Sequence, residues 1–152
     1  VFEALTAMDL RFDALVLPSH LQRLLRRLEE HPDLKCVIDH GAKPALASRD
    51  LGNWREDMTR IARMTSACCK LSGLVTEVGP DWTVAQLAPA SELILDEFGA
   101  DRVMFGSDWP VVNLASDYQT WVETAGSLIS GLSDVEREAV WGKTAADFYD
   151  VG

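Results

Sequence analysis

Four short apolar runs, each followed by a longer stretch with a different periodicity, limit what this chain can fold into. The runs are Phe12-Asp-Ala-Leu-Val-Leu17, Cys36-Val-Ile-Asp39, Cys69-Lys-Leu71 and Val103-Met-Phe105. Between and after them, apolar residues recur at the three- and four-residue spacing of a helix face. Leu21, Leu24, Leu25 and Leu28 make one such stripe, with Arg23, Arg26, Arg27, Glu29 and Glu30 left for solvent. Trp54, Met58, Ile61 and Met64 make a second, Leu87, Ala90 and Ile94 a third, and Tyr118, Trp121, Val122 and Ala125 a fourth. A last helix runs toward Tyr149. The order is β-α-β-α-β-α-β-α-α. Strands without polar alternation need cover on both faces, and helical connections between them make neighbouring strands parallel. The chain is therefore predicted to be an α/β domain, and no linker, repeat or low-complexity segment divides its 152 residues.

Punctuation residues support these boundaries. Ser19 with Gln22, and Ser133 with Glu136, have the spacing of a capping box, in which each side chain satisfies the other's exposed backbone amide. Pro32 stops the first leucine stripe, and Gly99 suits the backbone conformation that closes a helix. Two architectures fit the alternation: an open doubly wound sheet and a (β/α) barrel. No G-x-G-x-x-G or Walker sequence follows any strand, which weighs against a nucleotide-binding doubly wound sheet. Both architectures place their chemistry at the C-terminal ends of the strands.

Charge removes several classes of partner. With 24 acidic residues against 14 Lys and Arg, the net charge of −10 repels nucleic-acid phosphates. No basic amphipathic stretch or long apolar run suggests membrane contact, and no signal peptide is visible, so a cytoplasmic location is expected. Cys36, Cys68 and Cys69 are an odd count without framework spacing, so reduced, buried thiols are expected. At most one of the adjacent pair can face a barrel core. The sequence opens at Val1 without a methionine, and part of a larger protein is expected to precede it.

Three strand ends carry side chains with chemistry: His40, Ser72 and Asp108. His40, followed by Gly41, is either a hydrogen-bonded loop residue or a neutral imidazole that ligates a divalent metal or polarises a carbonyl. Asp108 is either a loop cap or a carboxylate that takes a proton from water or helps hold a metal. Lys43 and Asn113 lie on the loops beyond two of these strand ends and could bind substrate oxygens, as could Ser72; Glu77 is a weaker candidate. Asp39 precedes His40 and should point to the opposite side of the strand. Trp109 is expected to pack beneath the site, and Trp54, Trp82, Trp121 and Trp141 are read as packing residues. His20 and His31 are expected to have no catalytic part. No G-x-S-x-G occurs, and no cysteine has an activating partner, so neither serine nor cysteine nucleophile chemistry is indicated.

Val37-Ile-Asp-His-Gly-Ala-Lys-Pro44, Lys70-Leu-Ser-Gly-Leu74 and Phe105-Gly-Ser-Asp-Trp-Pro-Val111 resemble motifs of the amidohydrolase-related family, nearest its sugar-lactone hydrolase branch. The closing segment from Gly142 to Tyr149 is similar too. The resemblance implies a distorted (β/α)8 TIM-barrel-like fold of metal-dependent hydrolases, with His40 and Asp108 in the catalytic centre. It implies hydrolysis of a small polar lactone by an activated water, and one divalent metal such as zinc, although metal-independent relatives exist. The sequence departs from the family in one respect: the first strand of the family carries His-x-His, and here the histidines are His20, His31 and His40. A full barrel takes about 250 residues. Residues 1–152 are thus expected to form the C-terminal part of one barrel domain, about four strands and five helices. That leaves as alternatives an inert half-barrel requiring a partner chain, a homo-oligomer, or a decarboxylase of the same superfamily. Open sheet edges would favour pairing with another chain.

Overall fold

In the computed structural model, which describes residues 1–48 and 50–151, the four apolar runs lie side by side in chain order. They are β1 (Phe12–Ala14), β2 (Cys36–Ile38), β3 (Cys68–Leu71) and β4 (Val103–Phe105), and all three pairings are parallel. The register sets Phe12 against Cys36, Ile38 against Cys69 and Leu71 against Phe105. A strand order that never reverses has no crevice of the doubly wound kind. It is a segment of a barrel wall, and the choice between the two architectures falls to the partial barrel.

Alternation along each strand sorts the side chains onto two faces. Ala14, Cys36, Ile38, Cys69, Leu71 and Val103 point outward into the main core. There they meet the buried leucines of α2 (Leu21–Glu30), Trp54, Met58 and Ile61 of α3 (Trp54–Met64), and Leu87, Ala90 and Ile94 of α5 (Val84–Phe98). Val37, Cys68 and Met104 point the other way, so the two adjacent cysteines do face opposite sides. Trp54 and Trp121 are fully buried as expected. Trp121 belongs to α6 (Tyr118–Leu128), and its indole Nε1 donates to the Gly106 carbonyl at 2.9 Å.

The last helical stretch does more than flank the sheet. It runs from α7 (Asp134–Glu138) through a π-helical turn, Ala139–Lys143, into α8 (Thr144–Tyr149). Ser133 and Glu136 form the expected capping box. Trp141 packs on Phe105 with ring centroids 4.7 Å apart. Ala145, Phe148 and Tyr149 of α8 then cover the inner-face cluster of Val37, Cys68 and Met104. The Tyr149 hydroxyl donates to the Asp13 carboxylate at 2.9 Å, and Arg11 Nε donates to the Phe148 carbonyl, also at 2.9 Å.

Several local expectations change. Only Phe12–Ala14 of the first run is paired, because β1 is an edge strand and the Leu15 amide turns back to the Asp13 carbonyl. Leu15 and Leu17 are exposed. The Ser19–Gln22 capping box does not form: Pro18–His20 winds into a 3-10 turn, and His20 Nδ1 accepts the Leu17 amide instead. Two short helices, α1 (Phe2–Ala7) and α4 (Leu74–Val78), hold too few turns to show a periodicity in the sequence. Met64 continues the Trp54 stripe but is 53% exposed, since it is the last residue of α3.

The contrast along α3 gives a stability test. Ile61→Ala removes a fully buried side chain and should cost about 2–5 kcal/mol in urea unfolding. Met64→Ala, one turn on, should change stability by less than about 0.5 kcal/mol.

Candidate active site

The backbone leaves β2 through an unusual turn. His40, Gly41, Ala42 and Lys43 all have positive φ, between 53° and 60°. For residues with a Cβ this conformation costs roughly 1–2 kcal/mol each, so the surroundings must impose it. Three contacts do so. Lys70 Nζ lies 2.8 Å from Asp39 Oδ1 just before the turn. The buried Trp54 indole donates to the Gly41 carbonyl at 2.7 Å, and the Lys43 amide donates to the His40 carbonyl at 2.8 Å.

Glycines let two other strand ends close on this turn. A Cβ on Gly73, after β3, would stand 2.7 Å from the His40 ring, and its φ of 65° also favours glycine. A Cβ on Gly106, after β4, would stand 2.8 Å from Cβ of Ser72. The ends of β2, β3 and β4 therefore nest, and they bring His40, Ser72 and Asp108 together.

In that cluster His40 Nδ1 lies 2.8 Å from the Ser72 hydroxyl, and His40 Nε2 lies 3.5 Å from Asp108 Oδ1. The His40 and Asp108 side chains are 19% and 10% exposed, so both can be reached from outside. Ser72 is 1% exposed and has no other side-chain partner among the described residues. Donation to Nδ1 satisfies its hydroxyl and leaves the proton of a neutral His40 on Nε2, facing the Asp108 carboxylate. A hydroxyl can also accept, so the opposite tautomer, with a free Nε2 lone pair, is open to the same pair. Asp108 is itself held at a φ of 54°.

The other expected residues are distributed around this centre. Lys43 reaches Glu77 of α4 at 3.2 Å, and both side chains are partly exposed. Asn113 is exposed on the turn Val111–Leu114 and makes no side-chain hydrogen bond among the described residues. Ser72 faces the imidazole rather than open solvent. Asp39 pairs with Lys70, consistent with a supporting place. Trp109 is 66% exposed, against the expectation that it packs beneath the site: it has no packing partner over its indole among the described residues. Trp141 is 38% exposed. His20 is exposed, and His31 rests against Phe2.

Residue reasoning overlooked one group. Lys70 Nζ bridges Asp13 at 2.9 Å and Asp39 at 2.8 Å on the inner face and lies over the Tyr149 ring. Burial opposes its charge, but Asp39, Tyr149 and Asp13 outweigh burial and hold the pKa above its ordinary value. A lysine inside an otherwise apolar strand was the available signal.

Metal chemistry can be tested against the donors. His40 Nε2 and the Asp108 carboxylate suit a divalent ion such as zinc, and Ser72 can orient the imidazole for it. Among the described residues, however, no group of three or more His, Cys, Asp or Glu side chains is placed to hold a metal. These residues offer two donors, and the remainder would have to come from elsewhere. The cysteines do not help. Burial pushes the Cys36 thiol up to about 12, the Cys68 thiol up to about 11, and Cys69 higher still.

A parallel sheet in chain order, with a histidine and an aspartate meeting at its C-terminal strand ends, is the layout of half a (β/α)8 barrel. The chain belongs to the amidohydrolase family, whose pattern it matches over residues 1–151. It is 40% identical to L-fucono-1,5-lactonase of Burkholderia ambifaria over 153 residues, covering 98% of this chain and 53% of that protein. Against L-fucono-1,5-lactonase of Burkholderia multivorans the identity is 38% over 164 residues, with 95% and 53% covered. A crystal structure of an amidohydrolase from Burkholderia multivorans with bound zinc is 37% identical and superposes with a TM-score of 0.91, covering 97% of this chain and 55% of that one. The chain thus spans about half the length of the relatives it matches. No helix among the described residues is long and apolar enough to cross a membrane.

The thiols predict a pH dependence. An unfolded thiol ionises near the ordinary value of 9.0, whereas Cys36 holds its proton to about 12 and Cys68 to about 11. Their contribution to stability is therefore complete below pH 9.0 and lost as pH rises through the folded values. The urea midpoint should fall with alkalinity over that interval, and the fall should be shallower in Cys36→Ala.

Proposed function

We propose that this chain supplies half of the catalytic centre of a barrel that hydrolyses a small polar lactone, a sugar lactone by preference. The observation that carries the proposal is the His40–Asp108 pair, whose facing atoms lie 3.5 Å apart at the strand ends with Ser72 2.8 Å behind the imidazole. That spacing is too long for a strong direct hydrogen bond. It leaves both side chains free to bind a reacting group between or beside them.

The chemistry follows from the donors. Asp108, ionised, takes a proton from a water and directs it at the ring carbonyl. His40, held by Ser72 with its proton on Nε2, donates to the carbonyl oxygen and stabilises the negative charge that forms there. Collapse of the tetrahedral intermediate breaks the ring C–O bond, and the proton taken by Asp108 passes to the departing ring oxygen, which becomes the product hydroxyl. Ser72 acts by fixing the ring and its tautomer, not by touching substrate. Exposed Asn113 and half-exposed Lys43 supply polar contacts to ring oxygens. In the opposite tautomer, with the Ser72 hydroxyl accepting from Nδ1, His40 Nε2 and Asp108 with further donors would hold a divalent ion, which would lower the pKa of a bound water.

The names of the two Burkholderia lactonases support this reading, as does the position of the pair at the face where barrel enzymes keep their chemistry. Half the length of those relatives, and the lack of His-x-His, support a need for further strands. The four strands here would then be inert alone and active in a completed barrel.

The test is ring opening of sugar lactones by the protein expressed from its own gene. Asp108→Asn should lower kcat by about a hundredfold or more. Ser72→Ala should lower it by about two- to tenfold, the worth of one hydrogen bond. Unchanged turnover in Asp108→Asn would remove the aspartate from the mechanism.

A further inference from the structure

We propose that Lys43 and Glu77 together form a reader for two neighbouring hydroxyl groups, which selects neutral polyhydroxylated lactones over anionic ones. The proposal rests on the hydrolytic reading above and adds the substrate class and the residues that choose it.

Position comes first. The turn after β2 carries both His40 and Lys43, and the segment after β3 carries both Ser72 and Glu77. Two bridges therefore join the same two segments: His40 to Ser72 at 2.8 Å, and Lys43 to Glu77 at 3.2 Å. The backbone of Lys43 is held close to His40, because it ends the left-handed run and its amide is bonded to the His40 carbonyl.

Valence comes next. The Lys43 and Glu77 side chains are 31% and 23% exposed, so their polar ends remain within reach of a ligand. One ammonium proton goes to Glu77 Oε1, which leaves two donors on Lys43. Glu77 Oε2 has no hydrogen bond among the described residues. A free donor beside a free acceptor matches two hydroxyls on adjacent ring carbons: one accepts from the ammonium, and its neighbour donates to the carboxylate.

Charge decides the substrate class. An unpaired lysine would attract a carboxylate as a point charge. Here Glu77 cancels that charge locally and repels any second carboxylate brought to the ammonium. The net charge of −10 disfavours an anionic substrate at longer range as well.

The experiment compares three lactones with the protein expressed from its own gene: a neutral 1,5-aldonolactone, the same lactone lacking one ring hydroxyl, and an aldarolactone bearing a free carboxylate. Glu77→Gln should raise KM for the first by about tenfold or more, the worth of a hydrogen bond to a charged group, with a much smaller fall in kcat. It should also narrow the gap between the first two lactones and improve kcat/KM for the third. Glu77→Asp, which keeps the carboxylate, should restore part of the loss. A solvent-reachable ion pair of this kind contributes only about 0–1 kcal/mol to stability, so the variants should remain folded, as a thermal melt would verify. If the wild type opens lactones but Glu77→Gln weakens all three alike, the pair is a strut and the proposal falls while the hydrolytic reading stands. If the wild type opens none of them, both fall together.

Discussion

The site depends on how the chain leaves β2. Four consecutive residues in the left-handed region, His40 to Lys43, would not persist in isolation, and contacts from outside hold His40, Gly41 and the preceding Asp39. The Trp54 indole binds Gly41 from α3, Lys70 binds Asp39 from β3, and Ser72 binds His40 from the end of β3. The turn is thus imposed by its neighbours, and in return it presents His40 toward β4. Asp108 arrives by the same device, a left-handed residue directly after a strand. Strain of this kind gathers where geometry is required for function.

The sheet makes those ties possible. Parallel strands in unbroken order put three C-terminal ends on one edge, a residue or two from each other in register. Small residues then allow the ends to approach: Gly73 accommodates the imidazole and Gly106 accommodates Ser72. Beneath this layer, Lys70 gathers Asp13, Asp39 and Tyr149 into a charged layer on the inner face. That layer connects the last helix to the strand that presents the histidine. A half-buried lysine between two acids is no strong source of stability; its value lies in fixing which strand ends stand next to one another.

The relatives place this half-barrel in a larger frame. The match covers nearly all of this chain and about half of each relative. Among the described residues, two donors face each other without a third.

Much of the fold was legible in the residues because it rests on period and punctuation. Fully apolar runs alternating with helix-period stripes dictate a parallel sheet, and Leu87, Ala90 and Ile94 are buried as their spacing requires. The candidates His40, Ser72 and Asp108 follow from position at strand ends, and the family from motifs around them. Long-range geometry was not legible. Nothing local says that Ser72 turns to the imidazole, that Glu77 pairs with Lys43 or that Lys70 joins two strands, because these contacts span 32, 34 and up to 57 residues of chain. Nor could sequence settle the exposure of Trp109, which depends on what the rest of the fold brings against it. The sequence by itself determined the elements, their order and the chemistry available at their ends, all of which are local properties. The tertiary structure alone decided which of those groups meet, because meeting depends on strand register and on the close approach of segments far apart in the chain.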